Sequence, residues 1–153
     1  MVLVTRIVVD KEQENNFRRR ALRAMPDEYI ETLYGYVDGS TAYICAFVDC
    51  EHEGTPAQVT YDDDELDSHE HHARKNGLEL LGTIHSHPDR EDPLYSHADA
   101  RDCFDKKKES LFGICAISIT GKRRKCNIAY WPAVQPLPVI YRKHYEGRRA
   151  KRG

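Results

Sequence analysis

No stretch of this sequence approaches the roughly 20 apolar residues that a membrane-spanning helix needs. Its apolar opening, MVLVTRIVV, is interrupted by Arg6 and lacks a small-residue cleavage site. The expectation is a soluble, unprocessed protein with no membrane partner. Paired cysteines are also missing. The five cysteines (Cys45, Cys50, Cys103, Cys115 and Cys126) are odd in number and scattered, without the CxxC spacing of a zinc ribbon or a dithiol redox motif. They read as reduced, mostly buried thiols, which favours a reducing, cytoplasmic compartment. An excess of one sign of charge is missing as well: the net charge of -2 implies no global pull towards nucleic acid or membrane. No regular repeat period runs through the chain, so a solenoid is excluded.

What is present fits one domain. A chain of 153 residues, 40% of them hydrophobic, can bury one ordinary core. Residues 3–9 (LVTRIVV) read as a strand, and Asp10 can cap the helix that follows to about Met25. There Phe17, Ala21, Leu22 and Met25 form an apolar stripe, leaving Arg18, Arg19, Arg20 and Arg23 largely on the wet side. Pro26 ends the helix. A strand over 28–36, a turn at 37–40 and a strand over 41–48 suggest a hairpin. Residues 49–56 read as loop. A helix follows the acidic run 62–67 and stops at Asn76-Gly77, and a strand covers 78–87. A helix over about 97–107 and strands over 111–119 and 125–131, joined by a turn at 121–124, complete the domain. The fold class is α/β, one mixed sheet flanked by helices. The domain is placed at residues 1–141, with a basic tail at 142–153.

Chemistry concentrates in LGTIHSHPDREDPLYSHADARD, residues 81–102. On a strand, His85 and His87 point to the same face because side chains alternate. Pro88 ends the strand, and the loop returns to a helix whose first turn carries Asp99. Two neutral imidazoles and a carboxylate suit Zn²⁺ with a fourth position left to water. Each element also has a plainer reading. Ser96 and Asp99 fit an N-cap with an acid in the first helical turn, and His-x-His can be two satisfied polar residues at a strand end.

Together, HSHP and the Ser-x-x-Asp of Ser96 and Asp99 resemble the JAB1/MPN/Mov34 metalloenzymes, the JAMM proteases, in their compact prokaryotic or viral form. That family also carries an upstream glutamate followed by Gly-x-Leu-x-Gly. PDEYIETLYG, residues 26–35, matches if Glu28 is the catalytic acid, with Leu33 and Gly35 in register. Two departures stand out. Glu31 replaces the usual glycine and is a rival to Glu28, although their odd separation turns them to opposite strand faces. The loop from His87 to Ser96 is one residue longer than usual. The resemblance implies a single-domain MPN fold of cytidine-deaminase-like architecture, with zinc held by His85, His87 and Asp99. It assigns Glu28 to proton transfer and Ser96 to oxyanion stabilisation during amide hydrolysis. It further implies a protein or peptide substrate, such as the C-terminus of a ubiquitin-like protein. The alternative is a catalytically silent MPN-type binding or assembly module, for example in phage tail assembly.

Other clusters read more simply. The SHEHH run, residues 68–72, with His69 and His72 three apart, is taken as a solvated helix face. Lys122-Arg123-Arg124-Lys125 and the tail RRAKR are electrostatic footprints for phosphate. Lacking interleaved aromatics, they read as a solubilising turn and tail, and nucleic acid is not the expected partner. Oligomeric state has no signature in the sequence.

Overall fold

The computed structural model describes residues 4–49, 52–54, 59–61, 68, 71–94, 111–132 and 136–142. Strand β1 (Arg6–Asp10) leads into helix α1 (Lys11–Ala24), where the Gln13 N–H donates to the Asp10 carboxylate at 3.1 Å. Asp10 is therefore the N-cap, and Glu12 and Glu14 in the first turn complement the helix dipole. Strands β2 (Ile30–Asp38) and β3 (Thr41–Asp49) form the hairpin. A small ribbon of β4 (His52–Gly54) and β5 (Val59–Tyr61) follows, then β6 (Glu79–Pro88), β7 (Leu111–Thr120), β8 (Arg123–Trp131) and β9 (Val139–Arg142).

Seven strands make one mixed sheet in the order β8-β7-β6-β2-β3-β1-β9. β6 and β7 run parallel, as do β1 with β3 and β9, while β2 pairs antiparallel with β3 and β6, and β7 with β8. Helix α1 covers one face. Phe17 and Ala21 are fully buried against it, and the Phe17 ring lies 5.9 Å from Tyr29 and 5.7 Å from Phe47. Burying a side chain of that size contributes about 2–3 kcal/mol.

Gly35 has a steric reason to be glycine. It sits at a register shift in β2, and a Cβ there would lie 1.7 Å from the Tyr43 carbonyl oxygen. No side chain can share that space, so the closing glycine of the 26–35 motif keeps β3 in contact with β2.

Several expectations need correction. Residues 49–56 are not all loop, because His52–Gly54 pairs with Val59–Tyr61. The turn expected at 121–124 is shorter, since Thr120 already pairs with Arg123, and this puts Arg123 and Arg124 in a strand. β2 begins at Ile30, so Glu28 stands just ahead of it. Arg18 and Arg20 are only partly on the wet side. Arg18 pairs with fully buried Glu14 at 2.7 Å and Arg20 with fully buried Glu31, because α1 is docked closely enough for its arginines to reach inward. Of the second helix, residues 71–75 are seen, ending at Gly77 with φ of +77°. The helix expected at 97–107, the tail beyond Arg142 and His69 lie outside the described residues.

Candidate metal centre

The site forms where β2 begins and β6 ends. Ile30 pairs with His85, and that pairing is extended by a reciprocal clamp. The Ser86 N–H donates to the Tyr29 carbonyl at 2.8 Å, and the Tyr29 N–H donates to the Ser86 hydroxyl at 2.9 Å. The clamp holds the chain ahead of β2 against β6 and so delivers Glu28 beside the histidines. Ser86 is a positioning residue that the sequence motif contained without revealing its task.

Alternation along β6 then decides which side chains meet. His85 and His87 share the face away from α1, with ring centroids 4.8 Å apart and planes at 63°. Their Nε2 atoms are 2.9 Å apart, and Glu28 Oε1 is 3.9 Å from His87 Nε2. All three side chains are buried, and one ligand atom from each falls within 4.8 Å of the others.

That donor set fits a small divalent ion. Zn–N bonds of about 2.0–2.1 Å allow two ligand nitrogens up to roughly 4 Å apart, and the imidazole pair at 2.9 Å lies inside that limit. Two nitrogens and a carboxylate are the ligand types that zinc accepts. The expected residues Ser96 and Asp99 lie outside the described residues. The described loop ends at Leu94, and the Trp131 indole N–H holds it by donating to the Pro93 carbonyl at 3.1 Å.

Glu31, the rival, faces the other way. Arg20 Nη2 donates to its Oε1 at 2.8 Å, and Arg20 Nε and the Tyr29 hydroxyl both donate to its Oε2. The hydrogen bond to Glu31 raises the Arg20 pKa, while burial followed by the bond to Glu31 raises that of Tyr29. This carboxylate is fully engaged beneath α1. The network could not be read from local sequence, because its partners come from a helix and a strand that meet only on folding.

A sequence model of prokaryotic homologs of the JAB domain matches residues 10–125. No curated protein matches the chain. Among solved structures, the fold is similar to a Desulfitobacterium hafniense protein determined in solution, with a TM-score of 0.70 and 24% identity over 92% of this chain and 95% of that one. It is also similar to a JAB1/MPN domain protein from Archaeoglobus fulgidus, with a TM-score of 0.52 and 12% identity over 90% of this chain and 97% of that one.

Proposed function

As a member of the prokaryotic JAB-domain family, this chain is one that we propose to be a zinc-dependent metallo-isopeptidase or peptidase, hydrolysing an amide bond at the C-terminus of a ubiquitin-like protein. The observation that carries the reading is the convergence of buried His85, His87 and Glu28 while Glu31 is locked away by Arg20. In this proposal His85, His87 and Asp99 hold the metal. Bound zinc supplies Lewis acidity towards the scissile carbonyl and lowers the pKa of water towards neutrality.

The protein's own groups do the rest. Glu28 accepts a proton from the attacking water and returns it to the leaving amine. Its distance of 3.9 Å from His87 Nε2 exceeds a direct hydrogen bond and leaves it facing the same small space as the imidazoles. The Ser96 hydroxyl donates to the carbonyl oxygen as negative charge develops there. A cytoplasmic setting agrees with the free cysteines Cys45, Cys115 and Cys126. No helix among the described residues is long and apolar enough to cross a membrane.

The test is cleavage of a ubiquitin-like protein joined through its C-terminal carbonyl to a reporter amine. Glu28→Gln is expected to abolish cleavage and Glu31→Gln to preserve it in the folded protein. Loss of cleavage in Glu31→Gln alone would reverse the assignment. No cleavage by wild type, with zinc bound, would favour a silent binding module.

A further inference from the structure

A second polar constellation lies on the same sheet face as the histidines. His87 pairs with Ala116 on β7, so Ser118 and Thr120 follow on that face, the first roughly 7 Å along the strand. Ser118 pairs with Lys125 and Thr120 with Arg123, which puts both cations on the histidine side, whereas Arg124 points to the face that α1 covers. With Glu91 these four residues line a cleft of about 180 Å³. Glu91 is held there because Asn127 donates to its carbonyl at 2.9 Å and Arg90 N–H donates to the Ile117 carbonyl at 3.1 Å. Among the described residues the side chains of Arg123 and Lys125 make no ion pair. Among the described residues β8 is the last strand of the sheet, and its outer edge is partly used: Arg18 Nε donates to the Cys126 carbonyl at 3.2 Å and the Leu137 N–H to the Tyr130 carbonyl at 3.0 Å.

We propose that Arg123 and Lys125, with the hydroxyls of Ser118 and Thr120, form a subsite for an acidic segment of an extended peptide laid across this cleft. Its use as a substrate subsite rests on the proposed hydrolysis; binding itself does not. Charge complementarity supplies the attraction, and in an extended peptide alternate side chains reach the same side. Acidic residues two apart on such a peptide would meet Lys125 and Arg123, themselves two apart. A nucleic acid suits the cleft less well, since no aromatic platform is among the described residues that line it and the chain carries a net charge of -2. Glu91 narrows the cleft and tempers its charge.

The experiment is fluorescence anisotropy of a labelled nonapeptide alternating Glu and Thr, titrated with the full chain, against a Gln counterpart. The Glu peptide is expected to bind more tightly, with affinity falling as salt rises. Arg123→Glu and Lys125→Glu should each weaken it about fivefold, Arg123→Gln should weaken it less, and Glu91→Gln should tighten it about twofold. Arg124→Glu makes the same charge change on the opposite face and should leave it unaltered. Equal weakening by Arg123→Glu and Arg124→Glu would reduce the effect to a general field and overturn the subsite. Tighter binding of a single-stranded oligonucleotide at the same residues would reassign it to nucleic acid. Binding should persist in Glu28→Gln and with chelator present, so a failed hydrolysis assay leaves this test intact. Loss of binding in both would place the peptide at the metal centre instead.

Discussion

The two faces of the central sheet each bury a glutamate from the segment ahead of and within β2, and they treat it in opposite ways. On the α1 face Glu31 is fully buried, clasped by Arg20 and hydrogen-bonded by Tyr29. Its charge is balanced by a guanidinium fixed in place, so it contributes to docking the helix and has no capacity left for chemistry. On the other face Glu28 is set among imidazoles, groups that offer lone pairs to an ion as readily as protons to a carboxylate. Burial alone therefore does not mark a functional carboxylate. The nature of its partners does: strand alternation turns Glu31 towards α1, and the Tyr29–Ser86 clamp sets Glu28 beside the histidines.

Substitutions at the two glutamates should separate these roles. The largest effect is expected at Glu28, where Gln should lower hydrolysis by about 10²–10⁴-fold with zinc content and urea midpoint unchanged. An equal fall in stability would place Glu28 in the same structural class as Glu31. Glu31→Gln should do the reverse, costing about 2 kcal/mol in urea unfolding and leaving kcat unaltered at temperatures where the variant is folded. Solvent screens the pair, because the Arg20 side chain is 29% exposed, so the loss is smaller than for a fully buried pair. An undiminished urea midpoint would show that the clasp is dispensable.

Ser86→Ala removes the acceptor for the Tyr29 N–H and is expected to cost about 1–2 kcal/mol. It should also lower kcat, since Glu28 follows directly from that clamp, and unchanged kinetics would separate the clamp from the site. The smallest effect concerns the α1 face alone. The Cys126 thiol is lowered to about 7, first by a hydrogen bond from Cys115 and then by Arg18 and Arg124 against the opposing effect of burial. Its thiolate fraction rises with pH, so iodoacetamide labelling of Cys126, followed by peptide mass spectrometry, should reach half its plateau rate near pH 7. A midpoint near the ordinary thiol value of roughly 8.5 would remove that electrostatic picture.

Local spacing explains what could be read in advance. The Asp10 cap, the hairpin, the β6 strand and the shared face of His85 and His87 all follow from neighbours within a few residues. Glu28 and Glu31 face opposite ways as well, but Glu28 stands ahead of β2 and reaches the histidines through the Tyr29–Ser86 clamp, a contact between distant segments. What escaped depends on distant contacts. Arg18 and Arg20 look like solvated helix residues until α1 docks and brings Glu14 and Glu31 within reach. β9 lies beside β1 only because the chain returns across the whole sheet. The 121–124 segment looked like a basic turn, yet Gly121, with φ of +62°, tightens the reversal enough for Arg123 to join β8. The family resemblance required the motifs to be taken together, since neither HSHP nor Ser-x-x-Asp carries it alone.

The central claim is that His85, His87 and Glu28 meet because a metal is used there. Elemental analysis of the purified chain against His87→Ala, after equal exposure to zinc and desalting, tests it most directly. The prediction is close to one zinc per chain in wild type and little or none in the variant, with both proteins folded by circular dichroism. Equal, negligible zinc in the two would contradict the account.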